Sequence, residues 1–465
     1  MDSGQTIEIR IEDMLDDGRA FGRCEGLAVF VSGGCEKRSG SVFKGAVPGD
    51  LARVEITKEK KNSAEATLLE IIEESPDRTE AECPYFGKCG GCTLQEMSYD
   101  AQLRIKTGQV RAKLSRLGGL TEPKVNDCIA ADNLKYHRNK AVFAVGPHGE
   151  VGFLKGKSHF VMDIDDCLLQ SDAAMVCADA LRAFLKMPEH KRLAYRVIKQ
   201  LTVRSSFSTG EVMAVIESGK KEIEGLDLLI GMLDDAVNEA DEFWSLESVA
   251  LIHKGKCHIV AGKPVIKEEI ITEDGRCINY EISPQSFYQV NPEQMQKLYD
   301  KAAQYADLKG GEIVLDLYCG AGTIGIWLLE ELRKKDEEAF DKTKVIGIES
   351  VKPAVLDANR NSVINGMVNT RYFCGKAEEE LPGMRIEKAD VVILDPPRAG
   401  CGEALLAAVA AAQPDRIVYV SCDPGTLARD IKYLTANGYD FIEATPIDQF
   451  PWTSHIEVVA KIQKL

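Results

Sequence analysis

The chain has 465 residues, with 57 Lys and Arg against 73 Asp and Glu, a net charge of −16, and a hydrophobic fraction of 45%. That length exceeds one ordinary core and implies about two to four domains, and the acidic balance excludes indiscriminate polyanion binding, so any nucleic acid must be held by local basic surface. The opening MDSGQTIEIRIED has no basic start, apolar core or small-residue cleavage site, and no apolar run is long enough to span a bilayer, so the expected location is the cytoplasm.

Residues 1–75 read as short alternating strands, IEIRIEDML, GLAVFV, LARVEIT and ATLLEII, divided by the turns SGG and VPGD, which is the pattern of a small β-barrel. GLAVFVSGG followed by AVPGDLARVEITKEKKNSAEATLLEI resembles the TRAM domain, an oligonucleotide-barrel relative that lends RNA affinity to modification enzymes. A barrel without a ligand is the alternative, since fold alone does not fix function.

Next comes SPDRTEAECPYFGKCGGCTLQEMSYD, in which Cys83, Cys89 and Cys92 have the spacing C-x5-C-x2-C. Gly87, Gly90 and Gly91 let the backbone curl tightly enough for three sulfurs to converge. A fourth thiolate is expected from Cys167, in the loop DIDDCLLQ, with Cys128 as second choice. All-sulfur ligation suits zinc or an iron–sulfur cluster, and spacing alone does not separate them. Cys24, Cys35, Cys177, Cys257, Cys277 and Cys374 read as buried small hydrophobes.

An amphipathic helix is predicted to begin near Ser98. The region to about residue 284 then mixes strands (KAVFAVG, EVGFLKG, HFVMDI, RVIKQLTVRSS, EVMAVIES, SVALIH) with helices near 171–187 and 221–238. From Gln285 onward the strands EIVLDLY, KVIGIES, DVVILDPP, RIVYVSC and HIEVVAKI alternate with helical segments, the signature of a doubly wound α/β domain.

That last region carries the chemistry. VLDLYCGAGTIGIWLLEEL is a strand, a Gly-rich turn and a helix, with Gly320, Gly322 and Gly325 in G-x-G-x-x-G spacing. Both dinucleotides and S-adenosylmethionine exploit such a backbone. Glu349, ending the next strand, is placed for a ribose hydroxyl pair in either case, and Asp316 before the turn favours the methyltransferase version. ILDPPRAGC and VSCDPGTLARD fall at later strand ends, where open α/β sheets bind ligands. Asp-Pro-Pro is familiar from amine methylation, where an aromatic follows; here Arg398 follows, and Cys422 on the next strand supplies what carbon methylation needs. Carbon 5 of a pyrimidine is a poor nucleophile until a thiolate adds to carbon 6, and a base must later remove the carbon 5 proton. Glu457 and His455, in FPWTSHIEVVAKI, are placed by alternation on one face.

With these motifs assembled, the sequence resembles the bacterial uracil-5 RNA methyltransferases, specifically the branch that modifies 23S ribosomal RNA and carries a TRAM domain and an iron–sulfur cluster. The resemblance covers essentially the whole chain. It implies a multidomain α/β protein: an OB-like TRAM barrel over 1–75, a central α+β domain with the cluster over 76–284, and a Rossmann-like methyltransferase domain over 285–465 that uses S-adenosylmethionine. It implies a 4Fe-4S cluster on Cys83, Cys89, Cys92 and Cys167, and cofactor contacts from Gln289 in SFYQVN, Tyr318, Gly320, Glu349 and Asp395. The family nucleophile lies in S-C-x-P-x-T-L-A-R-D, hence Cys422, and its base in F-P-x-T-x-H-x-E, hence Glu457. Some relatives have Asn where this chain has Thr323. The transfer-RNA branch is similar in its catalytic domain but lacks the cysteine cluster and the TRAM segment, so their presence points to 23S ribosomal RNA.

RNA contact is expected from Arg104, Lys106, Arg111, Lys113 and Arg116, or from YHRNK with Lys155 and Lys157. No membrane and no obligatory protein partner are implied. Two other classes compete: a nicotinamide-dependent iron–sulfur oxidoreductase, and a non-catalytic RNA-binding protein that would leave the Cys422 and Glu457 motifs without a purpose.

Overall fold

The computed structural model describes residues 3–15, 17–36, 42–43, 45–156, 158–272, 274–384 and 388–465; Lys157 of the expected RNA surface lies outside them. The alternating N-terminal segment closes into a five-stranded barrel of β1 (Thr6–Met14), β2 (Ala20–Cys24), β3 (Leu27–Ser32), β6 (Leu51–Lys60) and β7 (Ser63–Glu73), in the order β1-β2-β3-β7-β6. A separate two-stranded ladder joins β4 (Cys35–Glu36) to β5 (Val42–Phe43). Period-2 alternation turns Ala52, Val54 and Ile56 of β6 inward against Ile9, Val29, Val31 and Leu68. Asp50, at the entry to β6, is fully buried; it accepts the N–H groups of Val47 (2.7 Å) and Ser75 (2.8 Å) and pairs with the Arg78 guanidinium, which ties the barrel to the segment that follows it.

The chain forms two compact units: Met1–Gly108 with Phe153–Met162 and Phe450–His455, and Gln109–Gly152 with Asp163–Gln449 and Ile456–Leu465. The helix expected near Ser98 is α1 (Tyr99–Arg116). One seven-stranded sheet contains β8 (Lys140–Val145), β9 (Val151–Leu154), β10 (Val161–Asp163), β11 (Ile198–Ser205), β12 (Glu211–Ser218), β13 (Ser245–His253) and β14 (Lys256–Gly262), in the order β10-β9-β8-β11-β12-β13-β14. Its helices are α2 (Asp172–Lys186) and α3 (Leu226–Ala240). The hairpin of β15 (Ile266–Ile271) and β16 (Cys277–Ile282) follows, and its Ile266, Ile270, Ile278 and Tyr280 share one apolar core with Met295, Trp327 and Val391. That core therefore begins upstream of residue 285.

The last segment, opened by α4 (Pro292–Ala306), alternates β17 (Ile313–Leu317), α5 (Thr323–Lys335), α6 (Glu337–Lys342), β18 (Lys344–Glu349), α7 (Lys352–Ile364), β19 (Thr370–Cys374), α8 (Ala377–Glu380), β20 (Val391–Leu394), α9 (Glu403–Ala411), β21 (Arg416–Ser421), α10 (Pro424–Ala436), β22 (Tyr439–Ile447) and β23 (Glu457–Lys464). The sheet order is β19-β18-β17-β20-β21-β23-β22, parallel up to β21, with β23 antiparallel to both neighbours. Strand order reverses between β17 and β20, so a crevice opens at the carboxyl ends of β17, β18, β20 and β21. β17, β20 and β21 are almost wholly buried and mostly apolar, as strands covered on both faces require.

Candidate active site

At the end of β17 the chain turns through Tyr318, φ +66, and Gly320, φ +54, before α5 begins behind Gly322, φ +78. Nothing lies within 4 Å of where a Cβ on Gly320 would stand, so the loop leaves open space there. Gly325 packs the helix onto the strand: its N–H donates to Asp316 Oδ2 at 3.2 Å, and a Cβ on it would come 2.9 Å from Val345. The other Asp316 oxygen is buried with no partner. Burial, and then repulsion from Glu349, pushes this carboxyl up to about 7. Glu349 ends β18 and accepts the N–H groups of Gly320 (3.2 Å) and Val351 (2.7 Å), which fixes its carboxylate beside the loop. Open backbone, a buried oxygen without a partner and an oriented carboxylate suit an adenosine-containing ligand.

Thr323 makes no case for a cofactor contact: its hydroxyl pairs with the Tyr299 hydroxyl at 2.8 Å and its carbonyl accepts from Tyr280 at 3.3 Å. Gln289 is buried, and its Oε1 accepts from Gln449 at 3.4 Å. Its carbonyl is held by Asn139 at 3.0 Å, so the YHRNK segment positions the SFYQVN segment.

Across the crevice stand the groups that end β20, end β21 and open β23. Asp395 is pushed up to about 7, by burial first and then by Asp316 and Glu349. Cys422 follows β21 directly; Asp423 caps α10 by accepting the N–H groups of Gly425 (2.8 Å) and Thr426 (3.0 Å), which holds the half-buried thiol at the strand end. Burial, then Glu457, then Asp395 push that thiol up to about 11, while Arg398 opposes them. Glu457, 5% exposed, lies well above the ordinary carboxyl range through burial and Asp395, again opposed by Arg398. The structure thus brings Cys422, Glu457, Asp395 and Arg398 within electrostatic reach of one another. The loop carrying Arg398 is pinned from behind by Asp430, which accepts from the Cys401 N–H (2.7 Å) and the Tyr419 hydroxyl (2.6 Å), and by Arg429, which donates to the Ala399 carbonyl (3.0 Å). Sequence reasoning passed over that pair, although Arg429 and Asp430 lie in the Cys422 motif itself.

Several expectations are corrected. β23 begins at Glu457, so alternation does not extend to His455, which is exposed and packs its ring edge-on to Phe450 at 6.2 Å. Lys106 is buried, with its amine donating to the Phe450 carbonyl at 3.2 Å, and Arg104 is paired with Asp77 at 2.6 Å. In YHRNK only Tyr136 is exposed; His137 and Asn139 are buried, and burial with Arg204 pushes the Lys140 amine down to about 8. Among the described residues no group of three or more His, Cys, Asp or Glu stands close enough to hold a metal ion. Cys89 Sγ is turned onto its own loop, accepting the Gly91 N–H at 3.4 Å. Cys128 is buried with its thiol 3.9 Å from the Ile129 carbonyl, and Cys277 and Cys374 are exposed, not buried.

Residues 234–464 match the family model described as tRNA (Uracil-5-)-methyltransferase, and residues 2–69 match the TRAM domain. The chain is 36% identical over 475 residues to an uncharacterized RNA methyltransferase of Halalkalibacterium halodurans, spanning 100% of this chain and 98% of that one. It is 37% identical over 480 residues to another from Caldanaerobacter subterraneus subsp. tengcongensis, spanning 99% of each. Among solved structures, the tRNA (uracil-54, C5)-methyltransferase of Pyrococcus abyssi in complex with S-adenosyl-L-homocysteine aligns with a TM-score of 0.70 and 27% identity, over 98% of this chain and 100% of that one. A transfer-RNA enzyme therefore aligns along nearly the full length of this chain, which removes the inference that a barrel-bearing architecture by itself points to ribosomal RNA.

Proposed function

The chain belongs to the RNA uracil-5 methyltransferase family and carries a TRAM domain, and on that premise we propose that it methylates carbon 5 of a uridine in 23S ribosomal RNA through a covalent adduct on Cys422. The observation that carries the mechanism is the shared environment of Cys422, Glu457 and Asp395 at the ligand-binding edge of the sheet. Gln289, Tyr318, Gly320, Glu349 and Asp395 are read as the residues that hold S-adenosylmethionine. When bound, it supplies the methyl electrophile and, in its sulfonium, a positive charge that favours ionised carboxylates nearby. Cys422 Sγ, as the thiolate left once its proton passes to solvent, adds to carbon 6 of the uracil and makes carbon 5 nucleophilic. Carbon 5 takes the methyl as the sulfonium's methyl–sulfur bond breaks, and Glu457, as the carboxylate, then takes the carbon 5 proton while the bond from Cys422 sulfur to carbon 6 breaks and returns the thiolate. Arg398 faces both Cys422 and Glu457 and favours the anionic form of each. A base inside folded RNA must leave its stack to reach this thiol.

RNA containing 5-fluorouridine tests the chemistry, because fluorine at carbon 5 blocks the final elimination. Wild type is expected to form a stable protein–RNA adduct and Cys422→Ala none, whereas Glu457→Gln should accumulate an adduct even on ordinary RNA. Full methyl transfer by Cys422→Ala would overturn the mechanism. Transfer RNA is the second reading, favoured by the full-length likeness to the Pyrococcus enzyme. Nucleoside mass spectrometry of both RNAs, with and without the gene, decides: loss of 5-methyluridine from transfer RNA alone would replace the ribosomal substrate.

The cluster reading rests on the C-x5-C-x2-C spacing with Cys167, and the reaction above runs without it. The donors suit iron and sulfide, and one sulfur already accepts an N–H. Iron and acid-labile sulfide measured on anaerobically purified protein are expected near four of each per chain, and their absence would remove the cluster.

A further inference from the structure

At the sheet end where β11 begins and β12 finishes, Arg192, Arg196, Lys220 and Lys221 line an open cavity of about 940 Å³. Lys199 belongs to the same end, its Cε 3.6 Å from where a Cβ on Gly219 would stand. Two acids, Glu222 and Glu224, line the cavity as well, and Glu224 pairs with Arg192; Arg196, Lys220 and Lys221 form no ion pair among the described residues. In a chain of net charge −16 this is a local field of the opposite sign. Beside it Tyr195 is 61% exposed with φ +58, in the left-handed region that bulky residues seldom occupy. The turn is held there by the Arg196 N–H on the Ala194 carbonyl (2.6 Å) and the Val197 N–H on the Leu193 carbonyl (3.0 Å). An aromatic ring is therefore presented to solvent, at a cost in backbone strain, among four unburied cations.

We propose that this surface grips the phosphodiester backbone of the RNA substrate, with Tyr195 stacking on an unpaired base, at a distance from the target uridine. An acidic peptide would also satisfy the cations, but it has no use for the held-out ring, whereas lysine and arginine on phosphates with an aromatic under a base is how single-stranded and looped RNA is bound. The distance follows from β11. Its far end meets the SFYQVN segment, where Arg204 donates to the Ser286 carbonyl and the Ser205 N–H to the Asn139 carbonyl (2.9 Å), and Asn139 holds Gln289. The eight residues of β11 span roughly 25 Å at about 3.3 Å each, which separates the surface by that length from the SFYQVN segment read as part of the cofactor site, so it reaches a flanking arm of the RNA.

The inference rests on the RNA methylation reading, and the test separates the two. Methyl transfer and filter-binding affinity are measured for wild type, the charge-removal variant Arg196→Gln/Lys220→Gln/Lys221→Gln, and Tyr195→Asn, which keeps a residue tolerant of positive φ. Each is assayed on a long RNA fragment and on a minimal stem-loop around the same uridine. The triple variant is expected to raise KM and Kd on the long RNA about tenfold or more and to lower the slope of log K against log salt by about two to three, one for each phosphate that is no longer neutralised. kcat, and every parameter on the stem-loop, should stay at the wild-type level. Tyr195→Asn should weaken long-RNA binding without changing the salt slope. Wild-type affinity and slope in the folded triple variant would overturn the proposal, and so would an equal loss on both RNAs. If wild type transfers no methyl to any RNA, the functional reading fails, and filter binding still decides whether this surface holds RNA.

Discussion

Cys422 illustrates what one residue's surroundings add to its motif. A thiol pushed up to about 11 is almost wholly protonated near neutrality, so little thiolate exists in the resting protein. The sign is direct: thiolate, and with it the rate of adduct formation on 5-fluorouridine RNA, should climb with pH through the range 7 to 9 without a plateau. Replacing Arg398 by Gln removes a cation that opposes the shift, so the same rate at pH 7.5 should fall as the thiolate fraction shrinks. Quench-flow trapping across pH reads both, and a flat profile would show the thiol to be ionised at rest. The motif alone made the thiol, its carboxylate neighbours and the Gly-rich loop legible, because each lies at a strand end that β-branched runs announce. What it did not disclose was burial. Lys106 and Lys140 look like RNA-facing cations in sequence, yet one is spent on a backbone carbonyl and the other lies beside Arg204.

At the scale of elements, β17, β20 and β21 of the catalytic sheet were legible because burial on both faces makes them largely apolar. β19 and β22, its two edges, were not: TRYFC is largely exposed, and YDFIEATPI carries charges and a proline that only an edge strand tolerates. β15 and β16 hid for a related reason, since Glu268 and Glu269 break their apolar pattern although Glu268 is buried, accepting from Ser208 at 3.0 Å. Close packing between elements yields two predictions. A Cβ on Gly347 of β18 would stand 2.8 Å from Cys319 Sγ and closer still to the Tyr372 ring, so Gly347→Ala must displace the Gly-rich loop or β19. It should cost about 1–3 kcal/mol and weaken S-adenosylmethionine binding, read by thermal shift and by calorimetry. Arg78→Ala leaves the buried Asp50 carboxylate without its cation, and denaturant melts followed on the barrel should show a loss of roughly 3–5 kcal/mol.

For the molecule as a whole, the acidic interior of the site ties stability to pH. Asp316 and Asp395 are held at about 7 in the folded protein against about 4 when unfolded, so below pH 4 the folded state keeps this advantage in full, and it is lost as pH rises through 7. Calorimetric melting of the full chain should therefore show Asp316→Asn more stable than wild type at pH 8 and the difference shrinking at pH 5.5; a difference independent of pH would mean the carboxyl is ionised throughout. The same strain is what a bound sulfonium would relieve, which makes ligand-induced stabilisation larger at pH 8 than at pH 6. The geometry of β11 has a further meaning at this scale. A strand cannot stretch, so the interval between its two ends works as a fixed caliper: an RNA lengthened by a few base pairs between the gripped arm and the target uridine can satisfy one jaw or the other, and the enzyme would select its uridine partly by measuring.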